Sequence, residues 1–543
     1  MDKYLNMAKR CIAPLAALVL LLASLVYGWF WWGLIAAALV ALAAYDWFQT
    51  EYSITRNYPV VGRIRWLFLQ LRPYLRAYIV EDDLHGTPYS FEARNLISHR
   101  AQGKNDTKPF GTERNTDDEE YNWVCHSMAA EAHPDPSPRV TVGNEQTSKP
   151  YDASLFNISA MSFGSLSANA VEALNIAARE GGFYHDTGEG GISEYHLKHG
   201  GDLVWELGSG YFGARDKHGR FDPASFKDKA TSDQVVMTEI KLSQGAKPGH
   251  GGMLPGAKVT QEIARVRQVP PFEDCLSPRS HSAFSTPIEM LEFAAQMRDL
   301  AGGKPVGLKL CVGQPHEVFA LMKAMLETEI YPEYIVVDGG EGGTGAAPLE
   351  FSDWMGMPLL DGLIIMRNAL VGTGLKSRIR LAASGKVYSG MGLAKNLAIG
   401  ADWCNAARAF MMSIGCVQAQ RCHTGTCPTG VATQDMWRQR SIIPQVQGER
   451  AARFHRKTMD SLVEMVAAAG FKHPGELQPH HFMHRIGSEQ AHSLDRIHAF
   501  LPEGILLNSP EDTLYSDWWA AASADSFKPK FSLELARGRA SLA

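Results

Sequence analysis

The sequence predicts a (β/α)8 barrel over residues 151–435, and three observations carry that prediction. Eight short apolar or β-branched runs recur from residue 150 onward with helical patterns between most of them, the signature of parallel βα units. Two of the intervening helices have strong start signals. Glycine-rich polar stretches follow five of the runs, and in a parallel barrel those ends form a single face. A doubly wound open sheet is the rival arrangement of the same alternation.

The runs span 155–161, 183–187, 203–207, 235–242, 305–311, 334–338, 378–383 and 403–407. After the first, Ser167 precedes Val171, Leu174 and Ala178 at helical spacing, and Gly181-Gly182 stops the pattern. Before the fifth, Thr286-Pro287-Ile288-Glu289 forms a capping box with proline at the first helical position.

The ends of the runs carry the chemistry. Met161-Ser162-Phe163-Gly164-Ser165 follows the first, Thr187-Gly188-Glu189-Gly190-Gly191 the second, and Gln244-Gly245-Ala246-Lys247-Pro248-Gly249 the fourth. Asp338-Gly339-Gly340-Glu341-Gly342-Gly343-Thr344-Gly345 follows the sixth and Ser384-Gly385-Lys386 the seventh. One glycine cluster is an ordinary turn; five in register with strand ends imply backbone approaching a large planar ligand. Barrels of this kind commonly hold a phosphate after strands 7 and 8. Here that means Ser384, Gly385 and Lys386, the helix beginning near Gly390, and then Ala407 and Arg408. A flavin mononucleotide (FMN) needs this arrangement. No glycine fingerprint at a first βα turn suggests a dinucleotide domain, so NAD(P)H binding is not expected.

Lys309 lies inside the fifth strand between Leu308 and Leu310. A lysine directed into a barrel loses hydration unless it faces a partner. A flavin edge that becomes anionic on reduction is one such partner; snorkelling from a strand end is the alternative.

The eight cysteines are too sparse for a disulfide scaffold. Three fall in Cys416-Val-Gln-Ala-Gln-Arg-Cys422-His-Thr-Gly-Thr-Cys427-Pro428. Three thiolates suit a soft iron–sulfur site, most naturally a cube lacking one iron, and the last is followed by proline. Zinc with His423 as a further ligand and inert buried thiols are the alternatives; a structural zinc site would usually contain a close C-x2-C pair, absent here.

From Cys11 to Tyr45 no charged residue appears, roughly 52 Å as one helix at about 1.5 Å per residue. One span needs about 20 residues. Tyr27-Gly28-Trp29-Phe30-Trp31-Trp32-Gly33 in the middle suits an interface and a turn. The reading is a transmembrane hairpin within 1–48, with spans near 11–28 and 31–48. A single tilted helix and a cleaved signal are the alternatives. Lys3, Lys9 and Arg10 before the run, and Arg56, Arg63, Arg65, Arg72 and Arg76 after it, place both ends and the catalytic domain on the cytoplasmic side. Residues 49–150 are expected to form an extension packing on the barrel. Residues 436–543 form a C-terminal extension with an amphipathic helix from Glu449 to Ala469. The 53 basic and 58 acidic side chains nearly balance, which argues against a nucleic-acid partner.

The segments MSFGSLS, TGEGG, QGAKPG, LPGAKV, VDGGEGGTGAAP and CHTGTCPTGVATQ together resemble the FMN-binding synthase domain of the glutamate synthase family, over about residues 155–435. The resemblance implies an FMN barrel beside a 3Fe-4S cluster held by Cys416, Cys422 and Cys427. It implies reduction of 2-iminoglutarate, formed from 2-oxoglutarate and ammonia, to L-glutamate. Gln244 and Lys247 match the loop at the 2-oxoglutarate site, and Arg267 best matches an arginine that binds a substrate carboxylate. Met161 and Ser162 resemble residues lining the flavin and substrate pocket; Thr187, Gly188, Glu189, Gly339, Gly340 and Gly343 lie on the glycine loops expected to contact the flavin. One departure bears on the substrate: the family often has KPGEGG, and this chain has Lys247-Pro-Gly-His250-Gly-Gly-Met253. Residue 2 is Asp2 and the apolar run follows, so ammonia is expected to arrive free or from another subunit. Electrons are expected from a separate donor, a ferredoxin or a reductase subunit, and a homo-oligomer is allowed for. Two rival functions are a membrane-associated flavin-dependent amino-acid or amine dehydrogenase delivering electrons to a quinone or partner, and a scaffold without activity, against which the intact loops and cysteines argue.

Overall fold

The computed structural model describes residues 2–531. Residues 1 and 532–543, at the outer ends of the expected hairpin and C-terminal extension, lie outside the described residues. The chain divides into two compact units, Met1–Phe91 and Glu92–Ala543.

In the first unit, helices α1 (Asp2–Tyr27) and α2 (Phe30–Phe48) are packed along one another. The long apolar run is not one helix. It breaks at Gly28, whose φ of +69° is a left-handed conformation that glycine adopts without strain. Phe30–Phe48 is long and apolar enough to cross a membrane, and Cys11–Tyr27 is a shorter apolar stretch. Helix α3 (Ile64–Leu75) follows.

The second unit is built on a closed barrel of eight parallel strands. In chain order these are β1 (Phe156–Ile158), β2 (His185–Asp186), β3 (Leu203–Leu207), β4 (Val235–Lys241), β5 (Val306–Leu310), β6 (Tyr334–Asp338), β7 (Arg380–Ser384) and β8 (Trp403–Ala406). Each pairs with its sequence neighbours, and β8 closes on β1 through Cys404–Phe156, Asn405–Asn157 and Ala406–Ile158. All eight expected runs are strands, and closure excludes the open sheet. The two capped helices form as their sequences dictate. Ser167 accepts the Ala170 amide at the start of α4 (Ala168–Gly181), and Gly182 ends it at φ +64°. Thr286 and Glu289 complete a reciprocal capping box on the helix Pro287–Leu300.

Several buried polar atoms of the barrel strands are matched to one another. Trp403 Nε1 donates to Tyr184 Oη at 2.8 Å, Tyr184 donates to Asn405 Oδ1 at 2.6 Å, and Tyr334 donates to the Thr238 carbonyl at 3.0 Å.

The expected extension 49–150 is divided at residues 91/92. The reason is local bonding. Buried Asp46 pairs with Arg63 at 2.6 Å, tying the following residues to the hairpin. Beyond the boundary, Asn122–Val124 pairs with Phe482–Gly487, and Arg139–Val142 pairs with Tyr151–Ser154. The C-terminal helix runs Pro444–Ala468 and packs on α4, so this region belongs to the barrel unit.

Candidate functional site at the C-terminal end of the barrel

The loops after the strands interlock. The Gly245 amide donates to Asp338 Oδ2 at 2.7 Å, and a Cβ at Gly245 would stand 1.8 Å from the Gly339 carbonyl oxygen. Gly188 (φ +64°) lies where a Cβ would reach the Ser162 amide nitrogen at 2.7 Å. Loops 1 and 2 therefore meet, as do loops 4 and 6, with backbone contacts that no side chain would permit. Gln244 reaches the Gly343 carbonyl at 3.4 Å. Thr187, fully buried, donates its hydroxyl to the Gly188 carbonyl at 3.0 Å and is occupied within its own loop.

The end of β4, the loop after it and the helix Gln261–Arg267 bring cations together. Thr260 caps that helix through the Ile263 amide, which fixes Arg267 about two turns on. Arg267 Nη2 donates to the Phe163 carbonyl at 3.1 Å and Ser162 Oγ at 3.3 Å; the guanidinium lies 5.2 Å from the Phe212 ring centroid. Its Nε is buried with no hydrogen-bond partner. Lys247 is 4% exposed, and among the described residues its ammonium has neither a hydrogen bond nor an ion pair. Lys241 pairs with Glu189 at 3.2 Å. Burial opposes the charge on Glu189, but Lys241, Lys247 and Arg267 hold its carboxyl below the usual range. Burial pushes Lys247 down, with Glu189 opposing. Three cations thus face Glu189, and Lys241 faces Glu206 as well. Glu189, expected to contact the cofactor, is the internal counter-ion.

Lys309, expected to face the flavin edge, sits among carboxylates: its Nζ lies 2.6 Å from Glu206 and 3.9 Å from both Asp186 and Glu239. Burial works against its charge, and these carboxylates reverse that, so its pKa stands well above the usual lysine value. Burial, then Glu206, pushes Asp186 up to about 7 against Lys309; burial and Asp186 push Glu239 up as well. The three carboxylates have ligand atoms within 4.8 Å of one another, yet the lysine already occupies their midst. Sequence reading missed Lys241, Asp186, Glu206 and Glu239. The signal was available for Glu206 and Glu239: an acid among apolar strand residues is as anomalous as Lys309 itself.

After β7, Ser384 Oγ is 3.2 Å from Ser159 Oγ, and Arg408 Nη2 donates to the Glu341 carbonyl at 2.7 Å. Burial and then neighbouring Arg408 push Lys386 down, so two cations stand close together beside Gly385. This fits a phosphate dianion. At the start of the helix Gly390–Ile399, Ser389 Oγ accepts the Gly392 amide.

The cysteine loop adjoins this face. A Cβ at Gly345 would lie 3.2 Å from Cys422 Cβ, so loop 6 abuts the cysteines. Gln434 Nε2 donates to the Gly164 and Leu166 carbonyls at 3.0 and 2.9 Å, binding the same segment to loop 1. Burial pushes Cys416 up to about 12, with Cys422 and Cys427 adding to it. Cys427 is held below its usual value: burial opposes this, but the Thr429 hydroxyl and the Ala432, Thr429 and Val431 amides outweigh it. Lys258, 8% exposed, donates to the Cys422 carbonyl and adds a positive charge beside Cys422 and Cys427. Amide donors, a lysine and three mutually interacting thiols fit an anionic iron–sulfur group.

Comparison with known proteins places this geometry in context. The family described as a conserved region in glutamate synthase matches residues 90–472. The glutamate synthase large subunit-like protein YerD of Bacillus subtilis is 36% identical over 513 residues, covering 86% of this chain and 97% of that protein. An archaeal-type glutamate synthase (NADPH) of Thermotoga neapolitana is 32% identical over 312 residues, and the match spans 57% of this chain and 58% of that one. Among solved structures, a flavocytochrome b2 variant with bound pyruvate aligns at a TM-score of 0.41 and 12% identity, covering 82% of this chain and 89% of that chain.

Proposed function

The chain belongs to the glutamate synthase family, whose members are oxidoreductases acting on CH–NH2 donors, and from that premise we propose that it reduces 2-iminoglutarate to L-glutamate with FMN and a 3Fe-4S cluster. The observation that carries the substrate reading is the pair of buried cations that face Glu189: Arg267, and Lys247, whose ammonium has neither a hydrogen bond nor an ion pair among the described residues. A five-carbon dicarboxylate supplies two negative charges, and arginine grips a carboxylate through two parallel N–H donors.

When bound, FMN would supply hydride chemistry and the cluster one-electron delivery. The chain's own residues do the rest. Lys386, Arg408, Ser384 and Gly385 would hold the flavin phosphate, while Met161, Ser162, Gly188, Gly339, Gly340 and Gly343 would border its ring. Arg267 and Lys247 bind the substrate carboxylates, with Lys241 and Glu189 fixing the charge around Lys247. Gln244 braces loop 4 against loop 6 through Gly343. Burial and neighbouring carboxylates raise both Asp186 and Glu239, which favours a proton on this pair and lessens the negative charge around Lys309. Cys416, Cys422 and Cys427 would ligate the cluster, and the packing of Gly345 on Cys422 supports a short path from it to loop 6.

Cys422→Ser and Cys427→Ser are each expected to abolish the cluster's electron paramagnetic resonance signal, with the flavin absorbance kept. An unchanged signal in either variant contradicts the ligand assignment.

We read α1 and α2 as a membrane hairpin with the barrel cytoplasmic, electrons coming from a separate protein. A second reading, oxidation of an amino acid or amine with electrons passed to a membrane quinone, is favoured by Phe30–Phe48. An anaerobic screen of amino acids for bleaching of the flavin separates the two: bleaching by one amino acid other than glutamate supports the second.

A further inference from the structure

The first unit holds a site that this chemistry does not use. Asp46, at the end of α2 and fully buried, accepts Arg63 Nε at 3.0 Å, Arg63 Nη2 at 2.6 Å and the Val60 amide at 3.0 Å. This cluster pins the start of α3 to the end of the apolar hairpin. None of the twelve residues of α3 is buried. Ile64, Leu67, Phe68, Leu71 and Leu75 fall at helical spacing and are 37–58% exposed. A surface helix of a soluble protein turns such a stripe inward; a helix lying in a membrane interface leaves it outward, toward acyl chains.

A groove of about 790 Å3 runs beside this stripe, lined among others by Phe68, Leu69, Arg65, Arg72, Arg76, Glu81 and Asp82, the last paired with His85 at 2.9 Å. Arg76 is committed to Glu81 at 2.5 Å and to Thr87 Oγ1 at 2.9 Å. Arg65 and Arg72 meet no carboxylate among the described residues. They stand seven residues apart, two turns along one face, roughly 10 Å at about 1.5 Å per residue. An apolar floor with two guanidiniums that no carboxylate neutralises among the described residues, Arg65 lying 5.8 Å from the Trp66 ring centroid, has the chemistry of an amphiphile's head and upper chains at the end of an apolar hairpin.

We propose that this groove binds an anionic membrane phospholipid, its phosphate on Arg65 and Arg72 and its glycerol and upper acyl chains over Phe68 and Leu69. The inference rests on the hairpin reading above. Charge complementarity favours an anionic head over a neutral one, and the apolar floor favours a lipid over free phosphate.

The test uses the full chain in neutral detergent, titrated separately with phosphatidylglycerol, phosphatidylcholine and inorganic phosphate, with retained ligand counted by native mass spectrometry. One phosphatidylglycerol per chain is expected, held about tenfold or more tightly than phosphatidylcholine. Arg65→Gln with Arg72→Gln is expected to lower that affinity by about thirtyfold, at about fivefold for each arginine near an anionic surface. Flavin absorbance and melting temperature should stay unchanged. Equal retention of the two lipids, unchanged phosphatidylglycerol binding in the double variant, or displacement of the lipid by millimolar phosphate would each overturn the proposal. The lipid comparison needs no variant, so it stands even if the double variant misfolds. An alkaline carbonate wash of membranes isolates the other possible failure: release of the chain defeats the hairpin reading, whereas retention without lipid preference defeats only this site.

Discussion

Arg267→Ala is expected to lower kcat/KM for 2-oxoglutarate by about a hundred- to a thousandfold, or about 3–4 kcal/mol at about 1.4 kcal/mol per decade. The size follows from burial. Arg267 is 4% exposed, stands between the loop-1 carbonyl of Phe163 and the face of Phe212, and keeps a buried Nε without a partner. A carboxylate brought against it is desolvated, so the loss of the cation leaves that charge uncompensated. Lys247→Ala should move in the same direction. Arg267→Lys should fall between wild type and alanine, since it restores charge without the planar pair of donors. Flavin absorbance should be kept in all three. Steady-state rates with 2-oxoglutarate varied check this; unchanged efficiency in both alanine variants contradicts the pocket assignment.

The second large effect is on stability. Lys309→Met removes the cation bonded to Glu206 in the buried layer of Asp186, Glu206 and Glu239, and stranding buried charge in this way costs about 3–5 kcal/mol. Its pH dependence identifies the cause. Asp186 already titrates at about 7, above its ordinary 3.8. An acid whose folded pKa is raised contributes stability that is full below 3.8 and is lost as pH rises through about 7. Without Lys309 the folded carboxylates bind their protons still more tightly. The gap in melting temperature between wild type and variant should therefore be widest near pH 8 and narrow steadily toward pH 5. A gap constant with pH would make the cost one of packing.

Much of this was legible in the sequence. The strand runs, the helix cap at Ser167, the capping box at Thr286 and the loops at strand ends are local signals, and local chemistry determined them. Arg267, by contrast, is not on a strand-end loop; only resemblance pointed to it, and its position depends on helix Gln261–Arg267 folding back over loop 1. The Lys309 layer was half legible. The lysine announced itself in an apolar strand, but its partners lie 70 to 123 residues earlier on three different strands, and pairing across a barrel leaves no trace in local spacing. The boundary at residues 91/92 was missed for a similar reason, since it depends on Asp46 reaching Arg63 across a turn.

The central claim is tested most directly by one anaerobic turnover. The reconstituted chain, fully reduced, is mixed with 2-oxoglutarate and 15N-ammonium, and the product is resolved on a chiral column while flavin and cluster spectra are followed together. The account predicts 15N-labelled L-glutamate at one molecule per two electrons lost, with reoxidation of the flavin and no product in Arg267→Ala on the same timescale. Reoxidation without labelled glutamate, or a flavin that stays reduced in the presence of both substrates, would contradict it.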